Sequence, residues 1–119
     1  MCGIVGIWNF GNQKLEQATL DHLTDSLVHR GPDGRGIFLD EGANLGLGHR
    51  RLAILDTSNL GHQPMSYGGQ RYWISYNGEI YNFIELRREL EKCGHRFKTN
   101  TDTEVVLAAY VQWGQDCQF

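Results

Sequence analysis

The spacing of apolar and polar positions changes several times along the chain, and each change predicts an element. Ile4, Val5, Ile7, Trp8 and Phe10, with Gly3 and Gly6 among them, predict a strand over residues 3–10. Gly11-Asn12 breaks it. Over residues 15–28, Leu20, Leu23 and Leu27 share one helical face while Glu16, Asp21 and Asp25 face solvent. The glycine-rich "HRGPDGRG" at 29–36 predicts a loop, followed by strands at 36–40, 44–48 and 51–55. "DTSNLGHQP", 56–64, has loop composition, and the aromatic, β-branched "QRYWISY", 70–76, predicts a strand.

The second half turns helical. A helix is expected from Phe83 to Lys92, with Asn82 as its cap and Glu85 completing a capping box. Leu86, Leu90 and Cys93 would line its apolar face, and Gly94 suits the C′ position. A short strand at 95–98 leads to a last helix over 102–113, started by Thr101 or Asp102 and stopped by Gly114. Its stripe is Val106, Ala109, Tyr110 and Trp113. The order β-α-β-β-β-β-α-β-α describes a mixed domain of the α+β class.

Composition narrows the choice of function. The 119 residues suit one small domain, and 11 basic against 14 acidic residues leave no basic stripe for nucleic acid. The apolar run from Ile4 to Trp8 is too short to span a membrane and lacks a signal peptide's basic start. Three cysteines, Cys2, Cys93 and Cys117, form no CxxC pair, which argues against a disulfide framework or structural zinc and for a reducing, cytoplasmic setting. None of the five histidines shows HxxxH or HExxH spacing, so no metal site is expected.

Cys2 raises the main chemical question. Once Met1 is removed, one residue carries both a thiol and a free α-amine, groups that ordinarily titrate at about 8.5 and about 7.7–8.0. The amine can take the thiol proton, which supplies nucleophile and base without a histidine. The plainer alternative is a small buried residue starting an edge strand. "NGE", Asn77 to Glu79, is either a type I′ hairpin turn or an oxyanion hole built from an Asn amide and a Gly N–H. The helix expected after it weakens the hairpin. Arg51 is either a solvated cation or a fork for a carboxylate. Asp102 either caps a helix or holds an ammonium.

Taken in order, "MCGIVGI", "HRGPDGRG", "GHRRLAILD", "QPM", "YNGEIYN" and "FKTNTDTEVVL" closely resemble the glutaminase domain of glutamine-dependent asparagine synthetases. That is a class II glutamine amidotransferase domain of the N-terminal-nucleophile hydrolase type, and the resemblance runs from Met1 to about Trp113. "RGPD" looks like the asparagine synthetase branch, although paralogues with other acceptors share it.

The resemblance implies specific roles. Cys2 is the nucleophile after loss of Met1, and Asn77 and Gly78 form the oxyanion hole. Arg51 binds the α-carboxylate of glutamine, Glu79 and Asp102 its α-ammonium, and backbone near Ile54 and Leu55 orients it. Glutamine hydrolysis needs no cofactor, while ATP and magnesium belong to a synthetase domain not present in these residues. The family's fold is an αββα sandwich, and residues 1–119 are expected to form it incompletely, as a partial glutaminase domain. Open strand edges would then favour self-association or leave a non-catalytic fragment.

Overall fold

Residues 1–53 and 58–118 are described by the computed structural model of this chain. Strand β1 (Gly3–Trp8) is followed by helix α1 (Gln17–Asp25), then β2 (Gly34–Asp40) and β3 (Leu45–Arg51). A short hairpin, β4 (Met65–Tyr67) and β5 (Tyr72–Ile74), precedes α2 (Phe83–Lys92) and α3 (Asp102–Trp113). The first three strands form an antiparallel sheet in the order β1-β3-β2, with Gly3 opposite Arg50 and Gly34 opposite Arg51.

Alternation along β3 decides what packs on each side. Gly46 and Gly48 face α1. A Cβ at Gly48 would stand 2.1 Å from Thr24 Oγ1, and one at Gly46 would stand 2.9 Å from Leu15 Cδ2. The glycines thus let α1 lie against bare backbone. On the opposite side of the sheet Phe38 stacks on Trp73 of β5 at 3.9 Å, and His49 bonds Ser75. The hairpin in turn packs on α3. Successive contacts therefore run helix, sheet, hairpin, helices.

The second core lies between α2 and α3. Leu90, Val105, Ala108 and Ala109 are buried there, with Phe83, Leu86, Phe97 and Trp113 against them. Full burial of a side chain such as Leu90 contributes about 1.5–3 kcal/mol. Arg87 adds a cover over the Phe97 ring and donates to Thr99 O.

Several sequence expectations are corrected. The strands expected at 44–48 and 51–55 are one strand, β3, with Leu52 and Ala53 beyond its end. β3 pairs with β1 through Arg50 and with β2 through Arg51, and pairing rather than local composition sets its length. The strand expected at 70–76 is only the second arm of the β4–β5 hairpin, because Gly68, Gly69 and Gln70 turn with positive φ. No strand occurs at 95–98. The Lys98 and Thr99 N–H groups instead donate to the buried Glu104 carboxylate at 2.7–3.2 Å, which replaces a ladder partner.

Helix details also shift. α1 is shorter than residues 15–28, and its buried face is Leu20 and Thr24, with Leu23 38% exposed. The glycine floor of β3 favours the smaller Thr24 beneath the helix. Asn82 makes no side-chain cap bond, and Cys93 is exposed rather than part of the apolar face. Thr101 does cap α3, accepting from Glu104 N, and Gly94 and Gly114 take positive φ as expected. Tyr110, placed in the α3 stripe, is 45% exposed, because the first turns of α3 are buried almost all round. Asp21 and Asp25 stay near solvent but share Arg35, whose contact holds the Asp25 carboxyl below its ordinary range.

Candidate active site

Cys2, Arg51, Asn77, Gly78, Glu79 and Asp102 line one cavity of about 340 Å³. They come from the start of β1, the end of β3, the segment between β5 and α2, and the start of α3. Ile54 and Leu55 lie outside the described residues. The volume is at the lower end for a small-molecule site, which begins at about 300 Å³. Met1 lines the same cavity and is 70% exposed, so the residue that must leave to free the Cys2 amine stands at the site itself.

The thiol is fixed by a single neighbouring residue. Leu52 N donates to Cys2 Sγ at 3.2 Å, and the thiol faces Leu52 O at 3.6 Å. The peptides on either side of Leu52 are held from behind by the "RGPD" loop. Asp33 N donates to Arg51 O, and Ala53 N donates to Asp33 Oδ2 at 2.9 Å. Arg50 Nε reaches Gly31 O, so the loop and the end of β3 close on each other. The turn-forming glycine and proline of the loop thus place a carboxylate where it orders the wall beside Cys2.

Arg51 brings positive charge to the cavity. Its Nη1 donates to Ser58 O at 2.7 Å, and the guanidinium lies flat against Gly61. A Cβ on residue 61 would stand 2.2 Å from Nη2 and 2.5 Å from Cζ. We therefore expect Gly61→Ala to displace the fork. The apparent KM for a carboxylate-bearing substrate should rise about tenfold, a loss of about 1.4 kcal/mol, with kcat little changed. Steady-state kinetics on the variant checks this, and an unchanged KM would refute the role given to Arg51.

Negative charge gathers opposite. Asp102 is only 6% exposed, and its Oδ2 accepts from Ile80 N at 2.9 Å. Glu79 is exposed at the rim. Tyr76 lies under Gly78, where a Cβ would meet its hydroxyl at 2.6 Å. Burial, with Asp102 and Glu79 nearby, pushes the Tyr76 hydroxyl above its ordinary pKa, so it stays protonated. The segment from Ser75 to Ile80 has neither strand nor turn, so Asn-Gly is no hairpin here.

His49 sits behind the site. It is 1% exposed, Nδ1 bonds Ser75 Oγ at 2.9 Å, and Nε2 has no partner among the described residues. Burial, reinforced by Arg51 and His62, lowers its pKa to about 4 from an ordinary 6.5. The unfolded chain thus binds a proton between these values and the folded chain does not, so stability present above pH 6.5 falls on acidification toward pH 4. From pH 7 to pH 5 the loss from this group is about 2 kcal/mol. Denaturant unfolding at the two pH values should show it, and His49→Gln should remove most of the slope. An equal slope in the variant would place the acid sensitivity elsewhere.

Motif reading missed Leu52, Gly61, Gln63 and Thr103, all of which line the cavity. Leu52 and Gly61 act through backbone, which leaves no side-chain signature. Thr101 with Glu104 does carry the capping-box spacing that marks the start of α3.

Comparison with known proteins places the chain in a family. The family model described as a glutamine amidotransferase domain matches residues 1–118. An asparagine synthetase [glutamine-hydrolyzing] 1 of Bacillus subtilis (strain 168) is 46% identical over 98% of this chain and 18% of its own length. Asparagine synthetase [glutamine-hydrolyzing] 3 of the same organism is 44% identical over 98% of this chain and 19% of its own length. A putative asparagine synthetase [glutamine-hydrolyzing] 2 of Methanocaldococcus jannaschii is 43% identical over 98% and 25% respectively. The chain therefore spans between 18% and 25% of the length of these relatives. With the match running through every strand and helix that lines the cavity, the chain belongs to the glutamine amidotransferase domain family.

Proposed function

We propose that this chain is the glutamine-hydrolysing part of an asparagine synthetase-type amidotransferase, with Cys2 as its nucleophile. The observation that carries the reading is the meeting of Cys2, Arg51, Asn77 and Asp102 around one cavity, though they lie far apart in sequence. Free glutamine has a carboxylate and an ammonium at one end and a neutral amide at the other. Arg51 and the Asp102–Glu79 pair suit the charged end, which leaves the amide for Cys2.

The reaction follows from the groups present. With Met1 removed, the Cys2 α-amine takes the thiol proton as sulfur attacks the side-chain amide carbon of glutamine. Negative charge gathers on the amide oxygen, which Asn77 and the Gly78 N–H stabilise. The C–N bond then breaks, and ammonia leaves with the proton from the α-amine. Water attacks the remaining γ-glutamyl thioester, giving glutamate and the free thiol.

The same proposal covers fold and setting. The succession of α1, the β1-β3-β2 sheet, the β4–β5 hairpin and α2 with α3 fits the αββα order of an N-terminal-nucleophile hydrolase. Cys2, Cys93 and Cys117 are free, which suits a reducing cytoplasm where the nucleophile stays a thiol. Ammonia would pass to a synthetase domain of the kind the relatives' names describe, and ATP and magnesium would act there. The test is release of glutamate and ammonia in equal amounts from glutamine by Met1-processed chain. Folded, processed chain that releases neither would refute the reading.

A further inference from the structure

The segment that carries Asn77, Gly78 and Glu79 has no regular structure of its own, so its shape depends on how its ends are held. At the far end Ile80 N donates to Asp102 Oδ2 at 2.9 Å. At the near end Tyr76 N donates to Gln63 Oε1 at 2.7 Å. A peptide N–H can only donate, so Gln63 must present its oxygen there and its amide nitrogen on the other side. That nitrogen donates to Thr103 Oγ1 at 3.2 Å. Both ends of the segment are thus tied to the first turn of α3, one directly through Asp102 and one through Gln63 and Thr103.

Gln63 is well placed to act as a strut. It is 7% exposed and lines the cavity, and its carbonyl oxygen lies where a Cβ on Gly36 would stand, 2.0 Å away. The β2 strand therefore backs its main chain while its side chain spans two functional segments. Losing this amide would take the partner from the half-buried Tyr76 N–H and untie the near end from α3, leaving it the Ser75 hydroxyl bond to Gly48 O of β3.

We propose that Gln63 is a positioning residue that sets the spacing between the Asn77–Gly78 donors and the Asp102 carboxylate. The kinetic consequence rests on the glutaminase reading, but the strut itself does not. A polar residue that merely filled the interior would affect stability alone. A strut should instead control the order of residues 76–80 and the rate of the step in which charge develops.

Three variants test this by two readouts. Gln63→Leu keeps the volume and removes both bonds. Gln63→Glu retains an acceptor for Tyr76 N–H, and the Thr103 hydroxyl can turn to donate to it. Thr103→Val breaks one bond and guards against a Leu variant that fails to fold. Amide exchange in peptides covering 76–80 should quicken about tenfold in Gln63→Leu, as the anchored state loses its partner, with β3 unchanged. For glutamine hydrolysis, kcat should fall about 10–100-fold, part of the loss from removing a whole oxyanion donor, while KM moves less than about threefold. Thr103→Val should shift both readouts in the same direction but less, and Gln63→Glu should restore most of each. Unchanged exchange at 76–80 in Gln63→Leu, or equal loosening of β3 with no rescue by Glu, would overturn the proposal. Wild-type chain that hydrolyses no glutamine would sink the glutaminase reading, and the exchange comparison would still decide the strut.

Discussion

Cys2→Ala is expected to lower glutamine hydrolysis by about 10⁴-fold or more while leaving the fold in place. No other group at the cavity can replace the covalent step. Cys93 is exposed at the end of α2 and Cys117 packs beside the α2–α3 core, so neither lines the cavity. The structural cost is small. The Cys2 thiol is half-buried and among the described residues bonds only Leu52, so stability should change by about 1 kcal/mol or less. Retention of Met1 should mimic the loss with the thiol intact, because the Cys2 nitrogen is then an amide and cannot accept a proton. Glutamate release, thermal unfolding and intact mass on the same samples separate the cases. Activity in Cys2→Ala, or in chain that keeps Met1, would contradict the mechanism.

The second large effect belongs to Asn77. Its half-buried side chain lines the cavity, and Ile80 and Tyr76 beyond it are pinned by Asp102 and Gln63. A donor carried on backbone pinned this way can meet a developing oxyanion with little movement of the main chain. Asn77→Ala should lower kcat about 10²–10³-fold, equivalent to about 2.7–4 kcal/mol, with a far smaller change in KM. Asn77→Asp should be no better, since a carboxylate repels the charge it is meant to stabilise. Loss confined to KM would instead make Asn77 a binding residue for the ground state.

The residues that meet at the cavity were more legible in the sequence than the architecture. Cys2, Arg51, Asn77, Gly78, Glu79 and Asp102 could be named because their residue types suit a zwitterionic amide and recur in order with a known family. What linear reading lacked was pairing. β3 reads as two strands because His49 and Arg50 part its apolar positions, and only pairing with β1 and β2 shows that it runs on through them. The segment at 95–98 looks strand-like but joins no ladder, since its Lys98 N–H donates to Glu104 inside the next helix and its His95 N–H to Leu90 O at the end of α2. Gln63 was hidden for the same reason. Its role exists only once Tyr76 and Thr103, 13 and 40 residues away, meet across it.

The central claim is that Cys2 of the processed chain forms a covalent bond to glutamine. Acid quenching during turnover, followed by intact mass and peptide mapping, tests it directly. The account predicts an added γ-glutamyl group on Cys2, stronger when glutamine is in excess, and absent from Cys2→Ala and from chain retaining Met1. Processed chain that releases glutamate with no adduct on Cys2, or with the adduct on Cys93 or Cys117, would contradict it.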